Sequence, residues 1–120
     1  MKKIMVVDDA AFIRKSLIMI FQQNGFEIAG EAGNGVEAVL KYKELKPDLV
    51  TMDITMPEMN GIDAVKAIKE FEPDCKILVV SAAGKEEMVR EAVMSGAKGF
   101  IVKPFSEEKV ITMAKKILGL

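Results

Sequence analysis

Five short apolar runs alternate with longer stretches of helical spacing, and that alternation leaves the chain very few folds to choose from. The runs are Lys3 to Val7, Phe26 to Ala32, Asp48 to Met52, Lys76 to Val80 and Gly99 to Val102. Each has the length and aliphatic content of a strand. Between them the apolar period changes. Ile13, Leu17, Ile20 and Phe21 follow the i, i+4, i+7, i+8 rule, and Val110, Met113, Ala114, Ile117 and Leu118 repeat that spacing near the other end. Successive strand–helix units predict parallel pairing, because parallel neighbours need a crossover and such crossovers are right-handed. The expectation is an α/β fold, with helices on both faces of a five-stranded sheet.

Punctuation agrees with the periodicity. Asn34 followed by Glu37 is a capping-box pattern ahead of Val36, Val39 and Leu40, and Lys46-Pro47 stops that helix. Ser106 is placed to cap the last helix, with Glu107 and Glu108 in its first turn and Lys115 and Lys116 in its last, matching the helix dipole. Gly25 and Gly96 follow periodic segments, where C-terminal glycines belong. No linker, repeat or low-complexity segment interrupts the pattern. The expectation is one stand-alone domain over residues 1–120, with no output domain after Leu120.

Charge and composition exclude several functions. Seventeen Lys and Arg against 18 Asp and Glu give a formal net charge of −1, which offers no basic field to nucleic acid and no polybasic anchor to a membrane. No apolar run approaches the roughly 20 residues of a spanning helix, and the first run lacks a small-residue cleavage site, so a soluble cytoplasmic protein is expected. There is no histidine, which removes His-based acid–base catalysis and most zinc sites. Cys75 is alone, so it forms no intramolecular disulfide and reads as a small hydrophobe at a strand entrance.

Ligands of open parallel sheets bind beyond the carboxyl ends of the strands. The first run ends in Asp8 and Asp9, the third in Asp53, the fourth in Ser81 and the fifth in Lys103-Pro104. Carboxylates gathered on one rim repel, and the repulsion is relieved by protonation or by a cation. An oxygen-only donor set matches a hard cation, Mg2+ first, with Mn2+ or Ca2+ as substitutes. A metal, a lysine, a hydroxyl and a carboxylate able to attack in line are the parts that stabilise a phosphoryl group in transfer. Taken singly, each residue has a plainer reading: Asp9 and Ser81 as helix caps, Asp53 as the start of an Asx-turn, Lys103 as a solvated turn residue. Only their joint occurrence at strand ends favours a site.

The blocks "VVDDAAF", "VTMDITMPEMNG", "VVSAAG" and "GFIVKPF" resemble, in order and spacing, the signature blocks of response-regulator receiver domains. The nearest likeness is to stand-alone CheY-type chemotaxis regulators of thermophilic bacteria, with archaeal versions similar. The resemblance implies a flavodoxin-like, CheY-like sheet of order 2-1-3-4-5. It implies that Asp53 accepts a phosphoryl group from a CheA-like histidine kinase, and that Asp8, Asp9, Asp53 and the backbone carbonyl of Thr55 bind magnesium. Ser81 and Lys103 then grip the phosphoryl oxygens, the Lys103–Pro104 bond is cis, and Gly61 is the turn glycine after the acceptor strand. Expected partners are that kinase, a flagellar motor switch protein or an archaeal adaptor, and a CheC/CheX-like phosphatase, the protein itself being a monomer.

The same resemblance makes Ser81 and Phe100 a switch, in which Ser81 moves toward the phosphoryl group and Phe100 turns inward. Phe100 also reads as simple core, and it lacks the hydroxyl of the tyrosine common at this position, so a weaker or more inward-biased switch is expected. Met88 and Met94 read as helix filling or as an adaptable partner surface. Thr55 and Ala83 occupy positions that tune water access to the acyl phosphate, and neither is a general base. Three other readings compete. A phosphorelay intermediate, or another single-domain receiver outside chemotaxis, has the same residues. A phosphatase acting through an aspartyl phosphate needs D-x-D, where this chain has Thr55. A nucleotide or flavin fold lacks its motif, since "GEAGNGVEA" contains neither G-x-G-x-x-G nor G-x-x-x-x-G-K-[ST].

Overall fold

A computed structural model describes residues 1–56, 59–82 and 84–120. The chain alternates as its periodicity predicts: β1 (Lys3–Val7), α1 (Ala11–Gln23), β2 (Glu27–Ala32), α2 (Gly35–Leu45), β3 (Leu49–Met52), α3 (Gly61–Phe71), β4 (Ile77–Ser81), α4 (Glu86–Ser95), β5 (Gly99–Val102) and α5 (Glu107–Leu118). All neighbouring strands pair in parallel, in the order β2-β1-β3-β4-β5. The order reverses at β1, so β1 and β3 flank the switch point where a ligand crevice is expected.

Strand alternation divides the core in two. Ile4, Val6, Leu49, Leu78, Val80 and Ile101 face Leu17 and Phe21 of α1 and Val110, Ala114 and Leu118 of α5. The intervening residues Met5, Val7, Val50, Met52 and Ile77 face Ala38 and Tyr42 of α2 and Ala64, Val65 and Ile68 of α3. A smaller cluster extends this second face toward α4: Val79 packs with Ile54, Ile62, Ala92 and Ala97, and Met88 and Phe100 close around it. Both faces of the sheet are therefore dry, which is why its strands read as continuous apolar runs.

Most of the punctuation lies where the sequence puts it. The Asn34 side chain accepts from Glu37 N at 2.8 Å, and the Ser106 hydroxyl accepts from Lys109 N at 3.2 Å. Lys46 ends α2 in a left-handed conformation at φ 45°, and Gly25 and Gly96 have positive φ. Asn60 caps α3 by accepting from Asp63 N at 3.0 Å, a cap that sequence inspection passed over. Cys75 is buried among the α2–α3 side chains, where burial pushes its thiol pKa up, as a small hydrophobe should behave. Met88 is core filling, whereas Met94 is 80% exposed.

A candidate phosphoryl-transfer site at the carboxyl rim

Register brings the two acidic strand ends side by side. Val7 pairs with Met52, so the next residues, Asp8 and Asp53, leave the sheet together, with Asp53 N donating to Val7 O at 3.0 Å. Alternation carries the α1–α5 face from Ile4 and Val6 to Asp8, from Leu49 and Thr51 to Asp53, and from Ile101 to Lys103. These three side chains converge. Lys103 Nζ lies 2.7 Å from Asp8 Oδ2 and 3.7 Å from Asp53 Oδ2. Asp8, Asp9 and Asp53 each present an oxygen within 4.8 Å of the others. That spacing, in a set of carboxylates without nitrogen or sulfur, fits a small hard dication.

The cluster is buried as well as crowded. Asp8 and Asp53 are 1% and 2% exposed, and Asp9 stands at the solvent side. Desolvation raises the Asp53 pKa above the ordinary carboxylate value; a hydrogen bond from Thr55 N opposes the rise, the Asp8 charge adds to it, and Lys103 and the Thr55 hydroxyl lower it again. Asp53 Oδ1 accepts from both Thr55 N and Thr55 Oγ1 at 3.1 Å. The plain Asx-turn reading of Asp53 is thus present in the structure, but it uses one carboxylate oxygen and leaves Oδ2 toward Lys103. The cap reading of Asp9 fails: the N-cap position of α1 is Ala10, which has no side-chain cap, and it is Asp8 Oδ1 that accepts from Ala10 N at 2.9 Å. Nor does Ser81 cap α4, whose N-cap position is Lys85; Ser81 is the last residue of β4 and fully buried.

Ser81 and Phe100 lie on neighbouring strands, in phase on the second face. Phe100 pairs with Val79, and strand alternation puts Val79 and Ser81 in phase. Phe100 is only partly buried, against the α4 cluster. Lys103 N donates to Ser81 O at 2.9 Å, tying the ends of β4 and β5, and the Lys103–Pro104 peptide is cis. Thr55 is exposed beside Asp53, whereas Ala83 lies outside the described residues.

Gly61 has a different reason from the turn glycine expected. Its φ is not positive; instead a Cβ there would stand 2.1 Å from Asp53 O and 2.5 Å from Ile54 Cα. Its amide donates to Ile54 O at 3.2 Å, so the start of α3 is laid directly on the loop after β3. Sequence inspection also passed over Arg14. Its guanidinium donates from Nη1 to Asp8 O at 2.6 Å and from Nε to Glu31 Oε1 at 2.7 Å.

A doubly wound sheet thus gathers three carboxylates and a lysine at its switch point. The chain belongs to the response regulator receiver domain family, whose pattern matches residues 4–115. It is 59% identical to a chemotaxis protein CheY of Thermotoga maritima over 116 residues, covering 97% of each chain, and 53% identical to CheY of Bacillus subtilis, covering 98% of each. Among solved structures it resembles a chain of the CheX-CheY-BeF3-Mg+2 complex from Borrelia burgdorferi, with a TM-score of 0.95 and 42% identity over 97% of this chain and 88% of that one. The chain is therefore a CheY-like receiver with chemotaxis relatives. Among the described residues, no helix is long and apolar enough to cross a membrane.

Proposed function

We propose that this chain is a phosphorylation-activated regulator of chemotaxis, with Asp53 as the acceptor. The observation that carries the reading is the convergence of Asp8, Asp9 and Asp53 around one point with Lys103 beside them. Asp8, Asp9, Asp53 and the carbonyl oxygen of Thr55 would hold magnesium, whose role when bound is to neutralise charge on the transferring phosphoryl oxygens. An Asp53 carboxylate oxygen attacks the phosphorus of a phosphohistidine. The P–N bond breaks, its electron pair returns to the imidazole nitrogen, and an acyl phosphate forms on Asp53. Thr55 holds Oδ1 through two hydrogen bonds, which fixes the carboxylate plane for an in-line approach. Lys103, paired with Asp8 before transfer, supplies the positive charge that meets the added phosphoryl oxygens.

The new group carries about −2 charge and three acceptor oxygens, by analogy with other phosphorylated side chains. By this reading the Ser81 hydroxyl donates to it, and the Val79–Phe100 pairing supports a route from Ser81 to the surface of α4 and β5. Neither Thr55 nor Ala83 is a general base, so the acyl phosphate persists long enough to be read, and the protein signals instead of turning over substrate. The CheY named in the related complex supports magnesium as the cation and a CheX-like phosphatase as the reset. The chemotaxis relatives support a CheA-like kinase as donor and a flagellar motor switch as target.

Intact mass after incubation with acetyl phosphate tests the reading. The expected result is a magnesium-dependent gain of one phosphoryl group that Asp53→Asn abolishes. A gain that survives Asp53→Asn, or multiple turnover of small phosphomonoesters, would overturn it.

A further inference from the structure

Asp8 and Asp9 are neighbours in sequence, and neighbours on a strand point to opposite faces. Yet both reach the same cluster as Asp53, within 4.8 Å. Past the end of β1 the chain bends at Asp9, and that bend needs holding. Asp8 itself is held at every polar atom. Its amide donates to Ala32 O at 3.1 Å, Oδ1 accepts from Ala10 N, Oδ2 accepts from Lys103, and its carbonyl oxygen accepts from Arg14 Nη1 at 2.6 Å. Only the last of these bonds falls on the peptide that leads into Asp9.

Arg14 is itself aimed. It stands one turn into α1, its side chain 20% exposed, and Nε is fixed on Glu31 Oε1 at 2.7 Å. Glu31 belongs to β2 and pairs with Val6, so its backbone is anchored in the sheet beside β1. Lys41 Nζ adds a bond to Glu31 O at 2.6 Å and an ion pair to Glu37 at 2.9 Å, extending the brace onto α2. The rigid fork of a guanidinium serves two acceptors in different directions at once, which a lysine ammonium does not reproduce.

We propose that Arg14 is a positioning residue for the cation site: clamped by Glu31, it fixes the Asp8–Asp9 peptide so that two successive carboxylates converge on Asp53. The inference rests on the magnesium reading of that cluster. Its sign separates it from a charge effect. A guanidinium close to a dication site opposes the dication by simple Coulomb repulsion, so removing its charge alone would tighten magnesium binding. Removing a positioning contact does the reverse, and loss of such supporting contacts weakens metal binding by about 10- to 100-fold.

The test is a magnesium titration of the 15N-labelled protein, without phosphodonor, following the amide resonances of Asp9, Ala10, Asp53 and Thr55. Arg14→Ala is expected to weaken binding at least about tenfold, and Arg14→Lys, which keeps the charge, is expected to stay weak. Glu31→Gln, which leaves the Asp8 bond but loosens the brace, should fall between them and the unaltered protein, and Arg14→Lys carries the test if Arg14→Ala does not fold. Equal or tighter binding by Arg14→Ala, recovery of full affinity in Arg14→Lys, or unchanged affinity in Glu31→Gln would overturn the inference while leaving the site reading intact. Absence of magnesium shifts in the unaltered protein would overturn the site reading, and this inference with it.

Discussion

Asp8 and Asp48 are both aspartates at the ends of neighbouring strands, Asp8 just after β1 and Asp48 just before β3, and they sit in opposite surroundings. Asp8 is 1% exposed, shares its site with two further carboxylates and is held against Lys103. Asp48, at the other end of the sheet, accepts one exposed hydrogen bond from Lys3 N at 2.7 Å, near a Lys3–Glu27 pair that is about half exposed on both sides. Where charges are spread in water, ion pairs contribute little and tolerate change. Where they are buried and of one sign, they cost stability and hold a strong demand for a cation. The contrast between the two rims shows where this chain gives up stability for chemistry.

The comparison can be broken in several ways, beginning with the largest effect. Asp53→Asn should abolish phosphoryl incorporation from acetyl phosphate, whereas Asp48→Asn at the opposite rim should leave its rate unchanged; intact-mass time courses compare them. Gly61→Ala should destabilise the fold by about 3 kcal/mol, because the added methyl meets backbone that has no room to yield. Urea unfolding would measure it, and a loss under about 1 kcal/mol would mean that α3 shifts freely on the acceptor loop.

A smaller effect follows from the Asp53 pKa, which burial raises. A carboxyl whose folded pKa lies above its unfolded one contributes stability below the unfolded value and loses it as pH rises through the folded value. At neutral pH without magnesium, Asp53→Asn should therefore melt a few degrees higher than the unaltered protein. The gap should close as the pH is lowered into the ordinary carboxylate range, and saturating magnesium should narrow it at neutral pH. Smallest of all, Lys3→Gln should change stability by less than about 0.5 kcal/mol, the scale of an exposed pair. A larger loss would mean that the amino rim is more tightly organised than its exposure indicates.

Much of this was legible without coordinates. The strands follow from apolar period, the caps at Asn34 and Ser106 from their spacing, and the gathering of Asp8, Asp9, Asp53 and Lys103 from their places at strand ends. Other features were not. Arg14 was passed over, since nothing local announces that its partners are a backbone carbonyl just after β1 and a side chain on β2. Gly61 looked like turn chemistry, because a missing Cβ reads the same whether the backbone needs freedom or a neighbour needs space. Taken singly, Asp9 also read as a helix cap, and only the geometry of the turn after β1 gave the backbone amide of Ala10 to Asp8 instead.

What the sequence determined by itself is therefore local and additive: which segments are strands, which are helices, where the capped helices α2 and α5 begin, and which chemical groups stand at the strand ends. Periodicity and capping act over a few residues, and their signals survive in a linear string. The tertiary structure decided what depends on register and on distance through space. Pairing of Val7 with Met52 makes Asp8 and Asp53 neighbours, alternation turns Lys103 toward both, and the bridge from Asp8 through Arg14 to Glu31 closes only when β1, α1 and β2 are packed. A cluster of like charges is a property of the folded chain, because only folding brings those charges close enough to repel.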